Sequence, residues 1–126
     1  MADGTVLISG GSASTDEQSA YLSTEIYDPS ADAFTPGPDM PSVRYKHIGT
    51  SLRLPWGGIL LAAGAQQAAL YDPALRSFTP VPGSMGSAAL SRLFATATHL
   101  GDGTALIAGG YGIGQPVTSE TWVYGP

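Results

Sequence analysis

Apolar positions in this chain come in short bursts, and each burst stops at Gly, Asp or Pro. Val6-Leu7-Ile8-Ser9 runs into Gly10-Gly11, and Ala105-Leu106-Ile107-Ala108 runs into Gly109-Gly110. Between them, Ile59-Leu60-Leu61-Ala62-Ala63 runs into Gly64. Consecutive apolar residues of this length suit strands covered on both faces. No run of ten or more residues carries apolar positions at helical spacing. The pattern predicts an all-β chain of short strands joined by turns.

The bursts belong to a longer internal repeat. Asp3-Gly4-Thr5-Val6-Leu7-Ile8-Ser9-Gly10-Gly11 recurs as Asp102-Gly103-Thr104-Ala105-Leu106-Ile107-Ala108-Gly109-Gly110. A degraded copy, Gly57-Gly58-Ile59-Leu60-Leu61-Ala62-Ala63-Gly64-Ala65, lies between them. A second element follows each copy: Ile26-Tyr27-Asp28-Pro29, Leu70-Tyr71-Asp72-Pro73 and Val123-Tyr124-Gly125-Pro126. Phe34-Thr35-Pro36 and Phe78-Thr79-Pro80 form a third, with the Phe seven residues after the Tyr. A fourth pairs Arg44, Thr50 and Leu52 with Arg92, Thr98 and Leu100. Four elements recurring in one order are specific where any single one is not. They divide the chain into units of about 1–43, 44–91 and 92–126. Tyr27 and Tyr71 are 44 residues apart, and Tyr71 and Tyr124 are 53 apart, so length variation is confined to the connections. Asp28 and Asp72, each before Pro, are expected to cap turns rather than act as an acid/base pair.

Composition narrows the function classes. Gly and Pro supply 17 and 10 residues, which fits a turn-rich fold. The net charge is −5 and the 5 basic residues are scattered, so no phosphate-binding face is expected and nucleic acid is excluded as a partner. The longest apolar stretch, Ile59 to Ala63, is too short to span a bilayer, and no membrane partner is expected. Cysteine is absent, which excludes disulfides, thiolate metal sites and a Cys nucleophile. Met1 is followed by Ala2-Asp3-Gly4 with no basic and apolar leader, and the compartment stays open.

The Gly10-Gly11, Tyr27 and Phe34 series resembles the kelch repeat, in the bacterial form similar to the central domain of galactose oxidase. Gly64, Tyr71 and Phe78 continue it, as do Gly109, Gly110 and Tyr124. The likeness covers nearly the whole chain, with Phe where family blades usually carry Trp. It implies β-propeller blades, each a four-stranded antiparallel sheet with strands A to D. Strand A falls on Lys46–Leu52 and Phe94–Leu100. Strand B falls on Thr5–Ser9, Ile59–Ala63 and Ala105–Ala108, and strand C on Ser23–Tyr27, Ala68–Tyr71 and Glu120–Tyr124. Strand D lies near Ala33–Thr35 and Ser77–Thr79. The chain then runs BCD, ABCD, ABC. Propellers close with roughly four to eight blades, so three units imply completion. A second copy making a six-bladed ring is favoured over membership of a longer propeller.

The resemblance also places a recognition surface where the D–A and B–C loops meet. Arg44 and Arg92 stand where family members project Arg into a pocket, and the planar guanidinium can grip a carboxylate at two points. The competing reading has both hydrogen-bonded to carbonyls of a neighbouring blade. Tyr45, Lys46, Asp16, Glu17, Gln66, Gln67 and Tyr111 complete the candidate surface. His47 and His99 occupy different slots and make no pair. Trp56 and Trp122 are expected at rims, and Trp122 holds the place of Glu25. No catalytic constellation, metal site, cofactor or phosphate loop is expected. The expected function is a non-catalytic module that self-associates and recognises a protein or glycan. The alternatives are part of a kelch-type sugar isomerase or oxidase with its active residues on other blades, and an engineered assembly unit with no evolved ligand.

Overall fold

The structure, a computed structural model, describes residues 1–15, 19–85, 92–112 and 114–125. Ten strands follow one another: β1 (Val6–Ser9), β2 (Thr24–Asp28), β3 (Ala33–Pro36), β4 (Ser51–Arg53), β5 (Ile59–Leu61), β6 (Ala69–Asp72), β7 (Ser77–Pro80), β8 (Thr96–His99), β9 (Ala105–Ala108) and β10 (Thr121–Tyr124). They form three antiparallel sheets, β1-β2-β3, β4-β5-β6-β7 and β8-β9-β10. Each is a meander, and no α-helix occurs among the described residues. The connections after β1, β3, β5, β7 and β9 therefore gather at one end of the sheets. The tight turns lie at the other end. There Asp28 Oδ1 accepts the Ser30 amide at 2.8 Å, and Asp72 Oδ1 accepts the Ala74 amide at 2.8 Å, so both carboxylates cap turns.

Directly opposed residues share a face of a sheet. In the first sheet Val6 opposes Tyr27, Ile8 opposes Glu25 and Tyr27 opposes Phe34. That pairing explains the seven-residue spacing, and the rings stack at 4.7 Å between centroids. The equivalent face of the middle sheet carries Ile59, Leu61, Ala69, Tyr71 and Phe78. Ile59 and Leu61 share a cleft with Leu7 and Ser9 of the first sheet. The opposite face, with Leu60 and Leu70, packs on Ala105, Ile107, Trp122 and Tyr124 of the third sheet. The sheets thus stack in series and the middle one is covered on both sides. Leu60, Leu61 and Tyr71 are buried. Full burial of such side chains stabilises by about 1.5–3 kcal/mol each. The outer sheets each keep one open face, so Val6, Ile8 and Phe34 are exposed at one end and Val123 at the other.

Two expectations need correction. The first strand of the second and third units does not begin at Lys46 or Phe94. Lys46 and Phe94 have φ of 51° and 52°, outside the β region, and β4 and β8 start only at Ser51 and Thr96. Between Lys46 and β4 the chain turns on Gly49, with the Thr50 amide donating to the His47 carbonyl at 3.2 Å. This turn shifts the match, so that Leu54, not Leu52, holds the place of Leu100. The amides of Gly57 and Gly103 donate to Leu54 and Leu100 respectively.

The second correction concerns the degraded copy. Gly57, not Gly58, stands where Gly4 and Gly103 stand; their φ values are 98°, 87° and 86°. Ile59 opposes Tyr71 as Val6 opposes Tyr27 and Ala105 opposes Tyr124. Gly64 is therefore the counterpart of Gly11 and Gly110, and Ala63 that of Gly10 and Gly109. The Gly11 amide donates to the Arg44 carbonyl and the Gly64 amide to the Arg92 carbonyl, both at 2.8 Å.

Candidate functional site

The long connections bring most of the candidate surface to one end. Arg44-Tyr45-Lys46 and Arg92-Leu93-Phe94 run side by side there, and the Phe94 amide donates to the Lys46 carbonyl at 2.8 Å. Tyr111 joins them through mutual backbone bonds with Leu93, at 2.9 and 3.0 Å. The sharp backbone at Lys46 and Phe94 turns these two side chains toward each other and toward Tyr111. The Lys46 ammonium lies 5.2 Å from the Tyr45 ring centroid and 5.8 Å from those of Phe94 and Tyr111. It also donates to the Tyr111 hydroxyl at 3.2 Å. That bond, foremost, holds the Lys46 pKa above its ordinary value. The result is a permanent cation framed by aromatic rings, with Phe94 54% and the neighbouring Ile48 86% exposed. An ammonium in such a frame attracts a carboxylate, and an open aromatic face suits stacking by a sugar ring or an aromatic side chain.

The two arginines do not join this surface. Arg44 is wholly buried, and its guanidinium donates to the Ala63 carbonyl at 2.7 Å and to the Gln67 carbonyl. Its own carbonyl is held by Gly11 of the first sheet's connection, so Arg44 ties two sheets together. Arg92 is also buried. Its Nε donates to the Met85 carbonyl at 3.0 Å, and Nη2 meets Glu120 Oε2 at 3.2 Å. The guanidinium lies 5.1 Å from the Trp122 ring. The expectation that Arg44 and Arg92 reach a ligand is corrected: both guanidinium groups are buried and bond within the fold, and the Arg44 Nε, also buried, has no partner among the described residues. Tyr45 is likewise buried and serves as a wall beneath Lys46. Gln66 donates to Ser84 at 3.2 Å, and the Gln67 carbonyl is occupied by Arg44. Asp16 and Glu17 lie outside the described residues.

Sequence reasoning passed over Phe94 and Ile48 near the site and two buried methionines in the connections that lead to the arginines. Phe94 lies beside Lys46 and Ile48 is exposed two residues after it, and Phe94 had a signal, because it follows Arg92 as Lys46 follows Arg44. Met40 and Met85 are buried on the same path. Their amides donate to the carbonyls of Leu22 and Gln66 at 2.9 and 3.0 Å, which are equivalent positions five residues before Tyr27 and Tyr71. Both precede an Arg, but at spacings of four and seven residues. The unequal spacing hid them.

His47 is tied into the joint between the first two sheets. Its Nε2 lies 3.0 Å from the Ser9 carbonyl and must carry the proton to donate there. Burial, foremost, together with the nearby Arg44 charge holds its pKa below the usual histidine value, outweighing the Ser9 bond. The unfolded chain therefore takes up the proton first as pH falls. Stability is unaffected above about pH 6.5 and declines below it, until the folded histidine also titrates. Urea midpoints measured between pH 7.5 and 5.5 should fall more steeply for the native chain than for His47→Asn; parallel curves would contradict this assignment.

Among the described residues, no group of three or more His, Asp or Glu side chains is placed to hold a metal ion. No protein-family model matches the chain, and no curated protein matches it.

Proposed function

We propose that the chain is a run of kelch-type β-propeller blades serving as a non-catalytic binding module, which takes a protein or glycan at the Lys46 end. The observation that carries this reading is the Lys46 ammonium held among Tyr45, Phe94 and Tyr111 where the long connections converge. The serial stacking of three meander sheets supports the blade reading, with equivalent faces meeting at both joints. The open faces at Val6, Ile8 and Phe34 and at Val123 supply the surfaces by which a second copy completes the ring.

Glycan and peptide arrays probed with the native chain test the ligand site. Lys46→Gln should weaken binding of the best ligand about tenfold, the loss of one charge-assisted contact. Phe94→Ala should weaken it too. Trp56→Ala, in the β4–β5 turn at the far end, should leave it unchanged. Binding indifferent to Lys46→Gln and Phe94→Ala would overturn the site. Light scattering checks the assembly: twice the chain mass is expected, and a single-chain mass with a cooperative melt would remove self-association from the proposal.

A further inference from the structure

The first sheet has two clefts where the other two sheets have a strand and an arginine. One lies on its outward face, lined by Ile8, Gly10, Tyr21, Ser23, Glu25 and Pro36, with room of about 430 Å³. Counted back from Tyr27 and Tyr71, Ser23 is the counterpart of Gln67, and Gly10 is the counterpart of Ala63. These are the positions whose carbonyls hold the Arg44 guanidinium in the middle sheet. The third sheet repeats the arrangement in altered form. Arg92 meets Glu120, the counterpart of Ser23, and lies over Trp122, the counterpart of Glu25. At two of three equivalent places a guanidinium is seated. At the third, an exposed carboxylate stands where Trp122 underlies Arg92.

The second cleft runs along the free edge of β1. It is lined by Met1, Val6, Leu7 and Ser9 on one side and by Ser51, Arg53, Ile59 and Leu61 on the other. Its volume is about 200 Å³. In the middle and third sheets the corresponding edges, those of β5 and β9, are paired with β4 and β8. Each of those strands lies a few residues after its arginine. Among the described residues no strand pairs with this edge of β1, although His47 already holds the Ser9 carbonyl, and an unpaired strand edge is the template for strand addition.

We propose that the first sheet binds an arginine-bearing extended polypeptide, which adds as a strand to the free edge of β1 and seats its guanidinium against Glu25 and the carbonyls of Gly10 and Ser23. The occupant is a partner segment in which the arginine precedes a strand by about four residues, as Arg92 precedes β8. Two separate clefts fit one ligand of this form. Arginine suits the socket better than lysine because its planar fork can reach two carbonyls and a carboxylate together. The residues lining this site are not those that frame Lys46, and it does not depend on a ligand there.

The test is a titration of the ¹⁵N-labelled full chain with a peptide reproducing residues 92–99. Amide shifts are expected at Leu7, Ser9, Gly10, Ser23 and Glu25. The same peptide carrying Arg92→Gln should bind about tenfold more weakly, and so should the native peptide to a Glu25→Gln chain. Glu25 is exposed, so that variant should keep the native spectrum. Equal affinity of the two peptides would overturn the socket. So would shifts confined to other sheets. Shifts at these amides that follow chain concentration alone, unaltered by peptide, would assign the edge to a second copy and overturn the arginine-bearing partner.

Discussion

Replacing Arg44 with Ala should lower the unfolding free energy by about 3 kcal/mol, because two buried carbonyls then lose their donor. Ala63 and Gln67 accept from the guanidinium, which is fully enclosed. Burial pushes the Arg44 pKa down to about 10, so it still carries its charge at neutral pH. No carboxylate stands among its hydrogen-bond partners: the two Nη groups meet carbonyls, and the buried Nε has no partner among the described residues. That arrangement needs the guanidinium fork. Arg44→Lys should therefore recover little, since one ammonium on a flexible stem cannot match both carbonyl directions. Arg92→Ala should cost less, about 1–2 kcal/mol, because its ion-pair partner Glu120 is largely exposed and returns to water. Urea denaturation of the three variants decides the matter. An Arg44→Ala loss no larger than that of Arg92→Ala would mean that the carbonyl contacts are not what holds the first joint.

The contrast between the two arginines also shows what the sequence could and could not convey. The strands following the Gly-rich turns were legible, because apolar runs bounded by Gly and Asp-Pro have few alternatives. All ten strands overlap the segments the repeat assigns, in sheets of three, four and three, but β4 and β8 start later than expected. The degraded middle copy was misread by one residue. Gly57-Gly58 imitates the Asp-Gly of the other copies, and the strand pairing of Ile59 with Tyr71 and the backbone bonds of Gly57 and Gly64 separate the two registers. The start of β4 was misplaced for a related reason. Lys46 and Phe94 are ordinary side chains in a left-handed backbone, a conformation that residue type does not announce as it does for glycine. The site itself was half legible. The resemblance put Lys46 and Tyr111 on one candidate surface and the structure brings them into contact, but whether an arginine faces solvent or a neighbouring sheet depends on packing, and there the local pattern is silent.

Gly10→Ala is expected to destabilise by about 3 kcal/mol, and the comparison with Gly103→Ala separates two causes. Both glycines lie at positive φ, 64° and 86°. An L side chain there costs about 1–2 kcal/mol from its own backbone. Around Gly103 a new Cβ meets nothing within 4 Å, so Gly103→Ala should cost only that. At Gly10 the new Cβ would come within 2.2 Å of the Arg44 carbonyl oxygen. That oxygen accepts from Gly11 at 2.8 Å, so it cannot withdraw without breaking the bond between the first sheet's connection and the arginine segment. The segment would carry Arg44 with it and loosen the Ala63 and Gln67 contacts. Gly10→Ala and Arg44→Ala should then be less than additive in a double-mutant cycle, by about 1 kcal/mol or more, because both release the same joint. Strict additivity would mean that Gly10 is needed only for its own backbone and that the close approach of the arginine segment contributes nothing.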